Sequence, residues 1–190
     1  MTLIDRRRFI SGAAGLVSAA AVSGTIPGIT MGTASAAAPI RLPGVARLSF
    51  VHLHTGEKLA LTFRKEGVYD KGALAEVNNI LRDWRTGEAV DMDLGLLELL
   101  VRLRHKLDTK GPFEIISAYR APATNAALAA NSGGVAKKSY HMRGMAVDVR
   151  VPGIRAENVY PVARGLKAGG VGLYRKNDFV HVDTGPVRTW

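Results

Sequence analysis

Three side chains of metal-binding type stand on short, otherwise apolar runs. His141 and Asp148 lie in SYHMRGMAVDVR (139–150), and His181 lies in DFVHVDTG (178–185). A carboxylate between Val147 and Val149 is costly to bury unless a cation, a metal or strong donors compensate it. Neutral imidazole and carboxylate are both good zinc ligands. Two histidines and an aspartate on neighbouring strands can supply three corners of a tetrahedron. The fourth corner then stays open for water, as a catalytic zinc requires. The residue types allow a plainer reading too: satisfied core histidines, with Asp148 paired to Arg120 or Arg150. Spacing alone does not choose, because the chain has no HExxH helix motif and no cysteine cluster.

These groups need elements to carry them. A chain of 190 residues, 47% hydrophobic and 22% charged, predicts one globular domain with a real core. Without cysteine there are no disulfides, and any transition metal must be held by His, Asp or Glu. Residues 47–63 read as two strands joined at Thr55-Gly56. Residues 70–85 have helical spacing, with Leu74, Val77, Leu81 and Trp84 on one face and Trp84 expected in the core. Residues 91–107 form a second helix capped by Asp91 or Asp93, with Leu96, Leu99, Leu100 and Leu103 as its core stripe. Residues 112–120 read as a strand ending at Arg120. A short helix follows over 121–131, with Pro122 near its first position, and then a flexible loop over 132–138. In the strand 144–151, Ala146, Asp148 and Arg150 share one face, and Met145, Val147 and Val149 the other. Gly144 permits a sharp turn into it. Residues 155–170 read as a helix blemished by Pro161, and 171–185 as a hairpin. Mixed helices and strands without βαβ regularity predict an α+β fold.

Residues 1–36 read as a targeting segment, not as fold. Arg6, Arg7 and Arg8 precede Phe9 and Ile10, an Ala/Gly-rich apolar stretch follows, and Ala34-Ser35-Ala36 has the form of a cleavage site. The Arg-Arg pair before x-Phe-aliphatic resembles a twin-arginine export signal, which makes the export machinery an expected partner. An ordinary secretory signal or an uncleaved anchor is the alternative. Residues 37–46 read as a linker, and 47–190 as the functional domain. The net charge of +10 suggests a polyanionic neighbourhood. Export to the periplasm or beyond removes nucleic acid as the expected partner, and no aromatic-and-basic motif argues for it. No stable membrane span is expected once the signal is cleaved.

Ser139-x-His141-x-x-Gly144-x-Ala146-x-Asp148 resembles the S-x-H-x-x-G-x-A-x-D signature of zinc peptidases that cut peptidoglycan peptides. These include D-alanyl-D-alanine carboxypeptidases, vancomycin-resistance dipeptidases and phage L-alanyl-D-glutamate endolysins. SAYR (117–120) resembles the family's S-x-Y-R strand end, and His181 its third metal ligand. GGVGLYRKNDFVHVDTGPVRTW resembles the exported murein endopeptidase K group within this superfamily. The resemblance implies a lysostaphin/hedgehog-type α+β domain, a small antiparallel sheet with flanking helices around one zinc ion.

By that resemblance, His141, Asp148 and His181 hold the zinc, which lowers the pKa of bound water to about 7. Arg120 holds the oxyanion or a substrate carboxylate, with a structural ion pair as its alternative. Ser139 bonds the substrate backbone or caps its own turn, and Tyr140 lines the cleft. The dipeptidase and endolysin branches carry an acidic base three residues before the last histidine ligand, where Asp178 stands. Phe179 excludes the branch that uses His-x-His. Residues three apart on a strand face opposite sides, so Asp178 needs to lie in the turn-like RKND. Asp183 has the right parity to be the base, or a partner to a metal ligand or Arg120. Asp178 ranks ahead. His52 and His54 are expected at the surface or in a turn, and His105 near a helix end. The implied activity is a zinc-dependent endopeptidase cutting peptide cross-links of peptidoglycan. The alternatives are a carboxypeptidase trimming terminal D-alanine, and a wall-binding module without hydrolysis, against which the complete ligand set argues.

Overall fold

In the computed structural model, the described residues are 44–131 and 135–190. The signal-like segment, most of the expected linker and part of the 132–138 loop lie outside them. The elements run β1 (Val45–His52), β2 (Lys58–Lys65), β3 (Val68–Tyr69), α1 (Lys71–Ile80), α2 (Leu94–Lys106), β4 (Phe113–Ser117), α3 (Pro122–Asn131), β5 (Ala146–Arg150), α4 (Ala156–Gly165), β6 (Gly170–Tyr174), β7 (Phe179–Asp183) and β8 (Arg188–Thr189). Short 3-10 turns at Tyr140–Arg143 and Arg175–Asn177 precede β5 and β7. Among the described residues no helix is long and apolar enough to cross a membrane.

The expected α+β domain is present, but its sheet is larger and mixed. Eight strands lie in the order β3-β2-β1-β4-β5-β7-β6-β8. The β1–β4 and β6–β8 pairs are parallel, and the rest are antiparallel. The parallel β1–β4 pair follows from α1 and α2, which carry the chain back before it enters β4.

Alternation in β1 buries Ala46, Leu48, Phe50 and His52. Opposite them, α2 presents Leu96, Leu97, Leu99, Leu100 and Leu103, all buried. Asp93 starts this helix by accepting the Leu96 amide at 2.9 Å, and Arg104 and Lys106 stand in its last turn, where cations meet the partial negative charge. On β5, β7 and β6, Val147, Val149, Val180, Val182 and Val171 complete the core. Helix α4 packs against β6 and β7. The opposite faces of those strands are therefore left to carry the site.

Two local expectations are corrected. Helix α1 is closed at Leu81, so the helical phase is lost before Trp84. Asp83 takes the inward place instead and accepts the Ala121 and Arg85 amides at 2.9 and 3.0 Å. Trp84 turns outward, 36% exposed, and stacks on His54 with ring centroids 4.4 Å apart. Pro161 lies in the middle of α4 rather than its first turn. It removes one amide donor, and the carbonyl this frees, that of Glu157, belongs to another exposed position of the helix.

Candidate metal centre

One row of residues crosses four strands. Ser117 on β4 stands opposite Asp148 on β5, Asp148 opposite His181 on β7, and His181 opposite Gly172 on β6. Paired residues share a face, so Asp148 and His181 are side-by-side neighbours on the face away from the valines. Ser117 reaches this row through a register shift between Ile115 and Ser117. Such a bulge re-aims a side chain: Ile115 stays in the core while Ser117 turns to the site.

His141 comes from the 3-10 turn before β5. Ser139 caps that turn by accepting the His141 amide at 3.3 Å. Gly144 ends it in the left-handed region, at φ 64°. A Cβ there would also lie 2.9 Å from the Asp91 carbonyl oxygen, so glycine is required twice over. The Arg120 amide donates to the His141 carbonyl at 3.1 Å, which ties the turn to the end of β4.

The three side chains meet. His141 Nε2 lies 3.2 Å from His181 Nδ1 and 3.4 Å from Asp148 Oδ1, and His181 Nδ1 lies 2.9 Å from Asp148 Oδ1. Ligands at the usual zinc distances of about 2.0–2.1 Å stand roughly 3.3 Å apart at tetrahedral corners. The tautomers point the same way. His141 Nδ1 faces the Ala118 carbonyl at 2.7 Å and must donate to it, so Nε2 carries the lone pair. His181 Nε2 faces Asp183 Oδ2 at 2.9 Å and donates, so Nδ1 carries the lone pair. With both imidazoles neutral, three electron-pair donors thus converge, an arrangement that repels itself unless a proton or a metal ion sits there. All three residues are buried. The residues fit a divalent metal.

The electrostatics agree. Burial pushes the Asp148 carboxyl up, but His141 and His181 beside it prevail and hold it well below the usual carboxylate range. Burial pushes the His181 imidazole down, but its bonds to Asp148 and Asp183 prevail and raise it. The same two carboxylates that attract a proton to His181 would attract a metal ion.

Asp183 is fully buried, and both its oxygens are engaged. They accept from His181, from the Gly170 and Gly185 amides at 2.9 and 2.8 Å, and from Arg188 at 2.7 and 3.1 Å. Asp183 thus holds the His181 ring while both its oxygens accept from other donors. Asp178 does lie in the turn, at φ 51°, yet its carboxylate accepts the Ala156 amide at 2.9 Å. It caps α4, whose own cap residue Arg155 makes no such bond. Both positions expected for the base thus accept backbone amides, Asp178 from Ala156 and Asp183 from Gly170 and Gly185.

The cleft above the row encloses about 630 Å³. Arg120, Ser139 and Tyr140 line it, Asp178 and Asp183 do not, and Asp148 is its only carboxylate among the described residues. Arg120 donates to Asn125 and Ser117 at 3.3 Å each, and its buried Nε has no partner. The cleft also takes in Lys138, Tyr174, Phe179, Arg188 and Trp190, which sequence reasoning missed. Only the resemblance of their run to the family could have flagged the last four, because strand parity says nothing about β8 folding back along β6.

A family model described as peptidoglycan L,D-endopeptidase MepK matches residues 41–190. Peptidoglycan L,D-endopeptidase MepK of Escherichia coli (strain K12) is 41% identical over 167 residues, covering 86% of this chain and 92% of the relative. The probable peptidoglycan L,D-endopeptidase MepK of Haemophilus influenzae is 36% identical over 170 residues, covering 89% and 91%. The match takes in every described strand and helix together with the converging triad, and the chain belongs to the family of the peptidoglycan L,D-endopeptidase MepK.

Proposed function

We propose that the chain is a zinc-dependent endopeptidase that hydrolyses L,D peptide bonds in peptidoglycan cross-links. The observation that carries this reading is the convergence of His141 Nε2, Asp148 Oδ1 and His181 Nδ1 on one point at the cleft floor. Two imidazoles and one carboxylate, with no thiolate, suit zinc with an open fourth position. Bound there, zinc supplies Lewis acidity to polarise a scissile carbonyl and makes water nucleophilic near neutral pH.

The chain's own residues hold this arrangement and the substrate. The Ala118 carbonyl fixes the His141 ring, and Asp183, clamped by Arg188, fixes the His181 ring. Arg120 is seated by Ser117 and Asn125 through one N–H of each terminal nitrogen, so the second N–H of each is left for a substrate oxygen. Ser139 accepts the His141 amide, and its hydroxyl proton is left to donate to a substrate backbone. Asp178 holds the Ala156 amide through one oxygen and does not line the cleft.

A cell-wall substrate also fits the Arg6-Arg7-Arg8 segment as a twin-arginine signal, with the protein working in the periplasm. A basic chain raises the local concentration of a carboxylate-bearing network. The test is digestion of purified cross-linked muropeptides by the mature protein, with and without chelator. Cleaved dimers that vanish with chelation support the reading. Shortened monomers would make the protein a carboxypeptidase, and binding without products a wall-binding module.

A further inference from the structure

The row across the sheet continues beyond the triad. One strand past His181 stands Gly172, and a Cβ there would lie 2.5–2.8 Å from the Trp190 indole. No side chain fits at that distance, so glycine is what lets the indole lie on the sheet beside the site. Backbone bonds hold it there: the Trp190 amide donates to Val171 and its carbonyl accepts from Leu173, at 3.3 and 3.0 Å. Its Nε1 donates to the Tyr174 hydroxyl at 3.1 Å, and its ring lies 5.1 Å from that of His181. Tyr174 in turn stacks on Phe179, with ring centroids 4.4 Å apart. Yet Trp190 is 49% exposed and Tyr174 37% exposed. An anchored, half-open aromatic wall beside a candidate catalytic centre spends apolar surface that the core does not use.

The other end of the row is cationic, where Ser117 seats Arg120 with its unpartnered Nε. From β4 to β6 there are three strand spacings, roughly 14 Å at about 4.8 Å each. That is the length of about four extended residues. The triad lies between the two ends. The cleft therefore offers a guanidinium at the Arg120 end and an aromatic face at the other, where the Arg188 guanidinium, held by Asp183, lies 5.1 Å from the Trp190 ring.

We propose that the Trp190 indole, laid on Gly172, is a substrate-positioning wall that receives the aliphatic part of a cross-linked stem, on the side of the cleaved bond away from Arg120. This rests on the endopeptidase reading above. The wall binds substrate and transition state alike, so it acts on KM and leaves kcat alone.

The test compares wild type with Trp190→Ala, Trp190→Phe and Gly172→Ala, each as the zinc-loaded full chain, on purified muropeptide dimers. Trp190→Ala is expected to raise KM about tenfold, the size of one lost aromatic anchor, with kcat unchanged. Trp190→Phe restores most of it, and Gly172→Ala reproduces the loss without removing any atom of the wall. Zinc content, measured by atomic absorption, stays at the wild-type value. In a Trp84→Phe background, Trp190 is the remaining tryptophan, and its fluorescence shifts when metal-free protein is titrated with dimer. The proposal is overturned if kcat falls at unchanged KM in Trp190→Ala, if zinc content drops with Trp190→Ala, if the fluorescence stays constant, or if Trp190→Ala and Gly172→Ala both cleave like wild type. Wild-type protein that leaves dimers intact would overturn the endopeptidase reading and this proposal with it. Normal wild-type cleavage beside unaffected variants would overturn the wall alone.

Discussion

The molecule holds two pairs of neighbouring histidines, and they differ in kind. The rings of His52 and His54 lie 5.9 Å apart, and those of His141 and His181 lie 5.0 Å apart. In the first pair, His52 Nδ1 accepts the amides of His54 and Thr55 at 3.2 and 3.3 Å. Its lone pair is spent on closing a turn, and its Nε2 is buried without a partner. His54 faces outward against Trp84. In the second pair, each ring donates from one nitrogen to a fixed acceptor and aims the other at Asp148. Proximity of imidazoles is thus not what makes a metal site. The outward nitrogen must be free of backbone donors, its opposite nitrogen must be pinned, and a carboxylate must share the focus.

Removing that focus should break the contrast most sharply. Asp148→Ala or His181→Ala is expected to lower muropeptide cleavage by about a thousandfold or more, with loss of bound zinc in equilibrium dialysis. His54→Ala should do neither. The pinning of the second nitrogen is tested next. Asp183→Asn keeps the shape but weakens the hold on His181, and zinc affinity should fall by about 10–100-fold in competition with a chromophoric chelator.

The turn-closing pair predicts a stability effect instead. His52→Leu strips two turn amides of their acceptor and should cost about 1–3 kcal/mol in urea unfolding, with zinc content unchanged. Burial, and then the neighbouring His54, push the His52 imidazole below its ordinary value of 6.5. The unfolded chain therefore takes up a proton there first. The stabilisation is complete above about pH 6.5 and is lost as pH falls through and below it. His52→Leu should flatten that part of the stability profile.

The smallest effect concerns the acidic residue set by spacing alone. Asp178→Asn keeps an oxygen for the Ala156 amide, so cleavage should stay within about threefold. A general base in its place would cost about a hundredfold or more. A large loss of kcat would show that Asp178 leaves α4 to serve the cleft.

Much of the site's framework was legible because it depends on local pattern. Alternation showed the β1–β2 hairpin, and the leucine stripe with its aspartate cap showed α2. Parity put Asp148 on the face opposite Val147 and Val149. Gly144 marked a sharp turn beside His141. Other features were not legible, for an equally physical reason. Trp84 looked like core because nothing local announces that α1 closes at Leu81. Asp178 and Asp183 each satisfied a spacing rule, yet one is claimed by the α4 amide and the other by Arg188 and two backbone amides. The bulge that turns Ser117 toward the site leaves no trace in apolar periodicity.

The sequence by itself determined which side of β5 Asp148 occupies and which face of α2 its leucines occupy, since periods of 2.0 and 3.6 residues are properties of the local backbone. Only the tertiary structure decided which faces meet. The order and register of β4, β5, β7 and β6 bring Ser117, Asp148, His181 and Gly172 into one row, and the return of β8 lays Trp190 across its end. Those choices are made by the packing of α2 against β1 and of α4 against β6 and β7, and by hydrogen bonds between strands distant along the chain. No short window of residues contains them.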